Sequence, residues 1–479
     1  MRPGLPVRPQ RRSIVAIGFV AALVLAVAAP APAIGATAGD QLWVARYNGP
    51  VTGYNSASAV AVSPDGTTVF VTGSSERTAG GDYDYATVAY DAVTGATVWA
   101  RRYNGAANGV DYANALAVSP DGSTLYVTGA SEGSASQLDY ATVAYDAATG
   151  VRVWVRRYNG PAGGSDQAEK VLVSPDGARV FVTGISEGSG TAFDYLTVAY
   201  DAVTGAKVWL RRYDGPGNGD DIANALAVSP DGAAVYVTGR SVGSKTSDYA
   251  TVAYDAGTGA TNWIRRYNGP GYGFDEARDL AVSPDGATVY VTGQSHGTRL
   301  YDYATLAYDA ATGQRAWVRR TSGPANDYDT ADALGVSPDG TLVFVTGGTF
   351  SAGTGNYATY AYDAATGAKV WGRRYNGPAN GDDVADALAV SQDGAAVYVT
   401  GYSHGVGTTS DSDYATVAYG ARTGARIWVR RYNGPADDYD IARAIAVSPG
   451  STAVYVTGGS AEGPLNLAGY GYATIAYGS

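Results

Sequence analysis

The chain has 479 residues, 33 Lys and Arg against 44 Asp and Glu for a formal charge of −11, no cysteine and two histidines. Disulfides, thiolate catalysis and cysteine-ligated zinc are therefore excluded. The acidic balance argues against nucleic acid as a partner.

Residues 1–38 read as an export signal. Arg2, Arg8, Arg11 and Arg12 precede an apolar run from Ile14 to Ala29, and Ala31-Pro32-Ala33 and Ala36-Thr37-Ala38 are small-residue cleavage sites. Cleavage is expected after Ala38, with Ala33 as second choice; loss of the four arginines takes the charge from −11 to −15. The apolar run is short and Ala-rich for a membrane span, and no second one follows. Residues 39–479 are thus expected to be one domain, a secreted bacterial monomer that is soluble or surface-associated.

From residue 41 onward one unit repeats. The eight tryptophans, Trp43, Trp99, Trp154, Trp209, Trp263, Trp317, Trp371 and Trp428, follow one another at intervals of 54 to 57 residues, the mark of a repeat architecture. In the unit beginning at Trp99, the runs ALAV, TLYV, ATVAY and VRVWV alternate apolar and small or polar residues. Turn chemistry separates them: Ser119-Pro120-Asp121-Gly122, a Gly/Ser-rich connection, and Asp146-Ala147-Ala148-Thr149-Gly150. Such runs predict four antiparallel strands per unit, A to D. Four-stranded sheets that must bury both faces pack around an axis as propeller blades. The chain ends favour a ring over a solenoid. Leu42 to Tyr47 is a D strand with no A, B or C before it, and Tyr472 to Tyr477 is a C strand with no D after it. The fold expected is all-β, an eight-bladed propeller closed by its N-terminal strand. The tryptophans, one per blade, are expected to staple neighbouring blades, because site chemistry is seldom copied eight times.

Comparison of the eight copies separates fixed from varied segments. The A–B and C–D turns barely change, whereas the D–A and B–C connections vary and must share one rim. Variable loops on a rigid frame are the usual place for binding. At that rim stand Asn55, Asp111, Asp166, Asp221, Asp275, Asp329, Asp383 and Asp440 before strand A, expected to ring the mouth of the axial channel. Asp84, Asp139, Asp194, Asp248, Asp302 and Asp413 stand before strand C. The acids read either as a cation-attracting funnel able to hold Ca²⁺, with Asp221, Asp383 and Asp440 in the richest loops as candidate ligands, or as partners of the paired arginines of strand D, such as Arg101-Arg102, in salt bridges between blades. Tyr54, Tyr112, Tyr272, Phe274, Tyr328 and Tyr439 also reach the rim and suit either a sugar or packing between loops. Blade 6 departs most, with Thr321-Ser322-Gly323 in place of Tyr-Asn-Gly. His296 and His404 occupy equivalent positions two blades apart, too far to share a metal, and are expected to be loop residues.

The C–D half of the unit, Ala144-Tyr145-Asp146-Ala147-Ala148-Thr149-Gly150 with Trp154 four residues on, resembles the tryptophan-docking repeat of quinoprotein dehydrogenases and their non-enzymatic propeller relatives. The A–B half, AVSPDGSTLYVTG, is similar to repeats of bacterial surface and secreted propellers. The resemblance covers essentially the whole of 39–479 and implies the propeller fold. In the enzymes it implies pyrroloquinoline quinone and calcium on the axis, commonly beside an adjacent-cysteine disulfide. This chain has no cysteine, and its aspartates are copied round the ring instead of being singled out in one blade. Both departures argue against the quinone, and no catalytic residue is carried over. The leading reading is a binding or scaffold protein whose varied rim engages a glycan, a cell-wall polymer or a protein. The alternatives are a quinone-dependent oxidoreductase or carboxylate-based hydrolase or lyase at the axial mouth, and a purely structural component.

Overall fold

The computed structural model describes residues 37–479 except 52, 79–80, 134–136, 189, 191, 244–245, 272, 298–299, 324–326, 352, 406–410 and 464–468. The expected export signal lies outside the described residues, Thr37 and Ala38 apart.

The described chain forms eight four-stranded antiparallel sheets, each ordered A-B-C-D in sequence except the last. In blade 2 the strands are Asp111–Val118, Thr124–Glu132, Leu138–Asp146 and Arg152–Tyr158. The A strands of successive blades meet around the axis, and blade 8 meets blade 1. Blade 8 takes Asp440–Val447, Ala453–Ala461 and Tyr470–Gly478 from the C-terminus and its D strand, Gln41–Tyr47, from the N-terminus. Trp43 pairs with Ala476 and Tyr47 with Tyr472, which seals the ring as the chain ends predict.

The C–D turn and the tryptophan explain each other. In blade 1 the Asp91 carboxylate accepts from the Thr94 N–H at 2.8 Å and its hydroxyl at 2.7 Å, a local bond that sets the turn. Gly95 then takes a left-handed φ of 71°. A Cβ on it would lie 2.6 Å from the Trp43 ring of blade 8, so only glycine admits both the turn and the indole. Trp43 Nε1 donates to Ala92 O at 3.0 Å. The same bond joins Trp99, Trp154, Trp209, Trp263, Trp317 and Trp371 to the following blade. The expected staple is therefore an indole on the next blade's turn. Deeper in, Tyr85 Oη donates to Ala141 O of blade 2 at 3.1 Å, and the series runs round to Tyr472, which reaches Ala86 O at 3.2 Å. Buried threonine pairs such as Thr72–Thr87 at 2.9 Å satisfy one another within each blade.

Every A strand carries a β-bulge, in blade 2 between Ala113 and Ala115. Strand B faces it with a glycine: a Cβ on Gly129 would fall 1.9 Å from the Tyr112 carbonyl oxygen. The glycine of each VTG run thus permits the bulge.

One joint differs. The turn that Trp428 of blade 7 should meet is replaced by the two chain ends, and Gly39, φ 82°, lies under its ring. Trp428 Nε1 has no acceptor among the described residues. Trp209→Phe and Trp428→Phe remove the same ring volume, but only the first removes a buried hydrogen bond. Trp209→Phe is expected to cost about 0.5–1.5 kcal/mol more than Trp428→Phe, read from paired urea denaturation curves; equal losses contradict this account.

Candidate functional site: the varied rim and the axial channel

The aspartates that open strand A lie in the wall behind the rim. Asp111, Asp166, Asp221, Asp275, Asp329, Asp383 and Asp440 are all 0% exposed, and Asn55 is 1% exposed. Each carboxylate turns back to clasp the D–A loop that delivers it: Asp111 accepts from Gly105 N–H at 2.7 Å and Asp383 from Gly377 N–H at 2.7 Å. The mouth expected of them is formed by other residues. Burial raises the Asp111 and Asp383 carboxyls, against the pull of the Ser131 and Ser403 hydroxyls and the loop N–H groups. Asp329 and Asp440 are pushed up to about 6, again chiefly by burial.

The arginines divide the work differently from the inter-blade salt bridges expected. The second of the pair forms its salt bridge within its own blade, with the acid before strand C where one is present, as in Arg157–Asp139 2.8 Å, Arg212–Asp194 2.8 Å and Arg320–Asp302 2.7 Å. It also reaches back to a tyrosine of the preceding blade, as Arg320 does to Tyr267 Oη at 3.2 Å. In blade 6, where Asn356 replaces the acid, Arg374 bonds Thr349 Oγ1 at 2.6 Å. In blade 8, where Gly471 stands in that position, Arg46 meets Glu462 at 2.5 Å. The first arginine crosses to the next blade but takes carbonyls: Arg156 reaches Gly205 O at 2.7 Å and Thr204 O at 2.6 Å.

The position carrying Glu76, Glu132, Glu187, His296 and His404 clasps the D–A loop from the end of strand B. Glu132 accepts from Val110 N–H at 3.0 Å, and His404 Nδ1 accepts from Asp382 N–H at 3.0 Å. Both histidines are the last residues of B strands, Thr288–His296 and Ala396–His404, and not the loop residues expected; His296 sits edge-on to Tyr301 at 5.3 Å. Of the three candidate calcium ligands, Asp221, Asp383 and Asp440 stand on blades 4, 7 and 8, each bonded to its own loop. Among the described residues, Asp221 is the one of the three in a group of three acids, its carboxylate oxygens within 4.8 Å of those of Asp194 and Asp214. Its oxygens already hold Gly215 N–H at 2.6 Å and Val242 N–H at 3.0 Å, and Asp194 is paired with Arg212. A cation there would compete with those donors.

The Thr321 departure expected of blade 6 lies at the end of the D strand of blade 5, paired with Tyr303, and is compensated by packing from blade 6. Thr321 replaces the usual tyrosine, Tyr360 fills the space edge-on to Tyr303 at 5.6 Å, and Gly372 makes room: a Cβ there would lie 2.8 Å from the Tyr360 ring.

Two features do set sectors of the ring apart. The first is a run of aromatic rings on the rim across blades 8, 1 and 2. Tyr470 lies 5.2 Å from Tyr54, Tyr54 6.2 Å from Tyr83, and Tyr83 5.6 Å from Tyr112. Tyr54 is 45% exposed. Asp438 and Tyr439 lie close enough to help burial push the Tyr470 phenol up to about 12. Next to this run a 370 Å³ hollow is bounded by Pro50, Asn55, Glu462 and Tyr470. A second group, Phe274, Tyr301, Tyr328 and Phe350, spans blades 5 and 6 with centroids 4.9–6.3 Å apart. Tyr272 lies outside the described residues. Asn108, Asn218, Asn380 and Asp437 hold left-handed φ of 49–55° in the D–A loops, a conformation that Asn and Asp tolerate better than other side chains.

The second feature is the axial channel. The bulged residue of strand A reads Ser58, Asn114, Glu169, Asn224, Arg278, Asp332, Asp386 and Arg443 round the ring. The alanine one residue earlier is the same in every blade and fully buried. Arg278, Asp332, Asp386 and Arg443, with Asn224 and Glu276, line a cavity of 340 Å³. Arg278 pairs with Asp332 at 2.5 Å and Arg443 with Asp386 at 3.2 Å. Burial raises Asp386 to about 7, opposed by Arg443 and reinforced by Asp332. Glu169 is raised to about 7 and Asp279 to about 6, each by burial with Lys170 opposing.

The family model described as outer membrane protein assembly factor BamB, a PQQ-type repeat family, matches residues 29–197, 168–327 and 303–463. The chain belongs to this family. No curated protein matches by sequence. Among solved structures, BamB from Moraxella catarrhalis is similar at 16% identity and TM-score 0.53, over 92% of this chain and 99% of that one. Sqt1 from Chaetomium thermophilum, bound to the N-terminus of ribosomal protein L10, is similar at 14% identity and TM-score 0.61, over 92% and 100%. A europium-containing methanol dehydrogenase is similar at 14% identity and TM-score 0.55, over 92% and 93%. At these identities the likeness is one of fold.

A quinone tricarboxylate of the kind found in some propellers needs cations and a flat face to stack on. Here the eight tryptophans sit at blade joints, and in the cavity the carboxylates Glu276, Asp332 and Asp386 outnumber Arg278 and Arg443. These residues do not fit that group.

The raised carboxyls fix a pH response. Asp329, Asp440, Asp279, Glu169 and Asp386 bind protons more tightly when folded, so their contribution is complete below the unfolded value near 4 and lost as pH rises through about 6–7. The turn acids Asp91, Asp121 and Asp146 are lowered by side-chain hydrogen bonds from Thr94, Ser119 and Thr149, so their contribution is lost on acidification below about 4. The urea midpoint is expected to peak near pH 5 and to be lower at pH 8; a midpoint higher at pH 8 than at pH 5 contradicts it.

Proposed function

We propose that this chain is a protein-binding scaffold of the cell envelope or exterior, which takes a basic segment of its partner across the aromatic rim of blades 8, 1 and 2. The observation that carries this is the Tyr470–Tyr54–Tyr83–Tyr112 run, which departs from an otherwise repeated frame. Tyrosine presents a large rigid face at low entropic cost, and a tyrosine-rich patch is the kind that dominates interface energies. Glu76, Asp438 and Glu462 lie beside these rings, and the net charge of −11 adds a long-range field. Lysine and arginine side chains gain from both, by cation–π contact and by steering. The family match to an assembly factor and a structural neighbour bound to a protein N-terminus support a scaffold role. Residues 1–38 would carry the chain out of the cytoplasm.

The test is an array of short peptides graded in net charge, probed with wild-type protein and with the Tyr54→Ala, Tyr83→Ala double variant. Binding is expected to concentrate on Lys- and Arg-bearing peptides carrying an apolar anchor, and to fall about tenfold or more in the variant. Indifference to charge, or equal binding by the variant, refutes the proposal. Binding confined to a parallel glycan array assigns the rim to sugars instead.

A further inference from the structure

The axial cavity is distinct from the rim and carries a chemistry of its own. Each A strand bulges at the same place, and five of the bulged residues, Asn224, Arg278, Asp332, Asp386 and Arg443, line the cavity. At this position the eight blades range from basic through neutral to acidic. From blade 5 to blade 8 the order is Arg278, Asp332, Asp386, Arg443, so two ion pairs stand side by side with their carboxylates adjacent and their guanidiniums at the ends. In blade 1, the next blade after Arg443, the equivalent bulged position holds the short, uncharged Ser58. The Arg443 side chain is 49% exposed, and its ion pair uses one nitrogen, Nη1 to Asp386. A guanidinium has five N–H donors in a fork that matches a carboxylate, and a serine hydroxyl adds one more. On the other side of the arc, Glu276 accepts from Asn224 at 3.2 Å and Gln294 at 3.1 Å, adding a third carboxylate.

We propose that this cavity binds a small zwitterion of the α-amino acid class, its carboxylate on Arg443 beside the Ser58 hydroxyl and its ammonium between Asp386 and Asp332. The lining disfavours ligands of a single charge. A simple anion would face Asp332, Asp386 and Glu276, and a simple cation would draw Asp386 away and leave the fork of Arg443 without a counterion. A ligand with both charges about two bonds apart meets each sign in turn and leaves Arg278–Asp332 intact. The 340 Å³ cavity accommodates an amino acid with its side chain directed along the axis. The burial that raises Asp386 would be offset by an arriving ammonium.

Isothermal titration of the mature protein with a panel of L-amino acids, their methyl esters, methylammonium and acetate tests this. At least one amino acid is expected to bind with one site per chain, its methyl ester at least tenfold more weakly, and methylammonium and acetate not at all at the same concentrations. Arg443→Gln is expected to erase the preference for the free acid over the ester. Ser58→Leu, which puts a larger apolar side chain at the bulge of the blade next to Arg443 and removes no member of either ion pair, is expected to abolish binding while circular dichroism and the melting curve stay as in wild type. No heat from any amino acid, equal binding of methylammonium, or unchanged binding in Ser58→Leu overturns the proposal. None of these outcomes bears on the peptide array, since Ser58 and Arg443 stand at strand A bulges and are not among the rim tyrosines.

Discussion

The structure depends on an indole laid on a left-handed glycine. Each C–D turn of blade 1's kind is closed by an aspartate that holds its threonine, as Asp91 holds Thr94, and this places Gly95 where a neighbouring tryptophan can lie flat against it. The indole N–H then takes a carbonyl of the same turn, so one side chain supplies apolar burial and a satisfied polar contact across the joint. The first arginine of strand D, two residues beyond the tryptophan, takes two more carbonyls of that loop, as Arg156 does. The A strands add apolar packing between blades, as Leu280 does in the core it shares with Trp263, and bonds such as Asn114 Nδ2 to Ala168 O at 2.9 Å. The bulged position and the D–A and B–C connections nevertheless lie outside the repeated indole joint and vary from blade to blade.

This division explains why the most regular acids are the least available. An aspartate at the first residue of strand A ties down the loop before it by accepting a main-chain N–H six residues back. That role recurs from blade to blade and requires a buried carboxylate. A residue copied round a ring by such a local requirement makes a poor site, since a ligand on the axis meets equivalent groups on every side and is oriented by none. Orientation comes from positions where the copies disagree: the bulge, the residue before the acid of strand C, and the entry to strand A.

Strand alternation, the turns, the tryptophan period and the two half-blades at the chain ends are enough to derive eight closed blades from sequence, because each follows from local chemistry or simple counting. The channel is not legible in the same way. A bulge breaks the period of two in mid-strand, so Asn114, Glu169 and Arg278 read as ordinary alternation when the phase is carried through from Asp111, Asp166 and Asp275. The signal that points to it is the glycine of each VTG run, which faces the bulge, together with the spread of charge at one position that always follows an alanine. Tyr83, Tyr301 and Tyr470 escape for a related reason. They sit one residue before the acid of strand C or its glycine substitute, where Leu138, Phe193 and Ser247 stand in other blades, and a strand-end aromatic is unremarkable until its neighbours across the rim are known.

The aromatic rim is tied to closure of the ring. Tyr470 opens the C strand of blade 8, and Tyr54 follows the N-terminal strand that completes the same blade. They are joined by a short parallel bridge, in which Tyr470 N–H donates to Gly53 O at 2.9 Å, and by ring contact at 5.2 Å. Residues from opposite ends of the chain therefore build one face only when Gln41–Tyr47 is seated on Tyr470–Gly478. The other side of blade 8 is the joint made from residues 37–40 and the C-terminal strand, where Gly39 imitates the turn glycine, Arg430 takes its carbonyl at 2.6 Å, and Trp428 has, among the described residues, no counterpart of the acceptor the other seven tryptophans meet. The blade whose joint lacks that indole bond is thus the blade that supplies Tyr470 to the platform. A partner lying across Tyr470 and Tyr54 bridges the N- and C-terminal strands and binds the closed ring in preference to one in which they have parted, so occupancy of the rim and closure of the wheel stabilise each other by mass action.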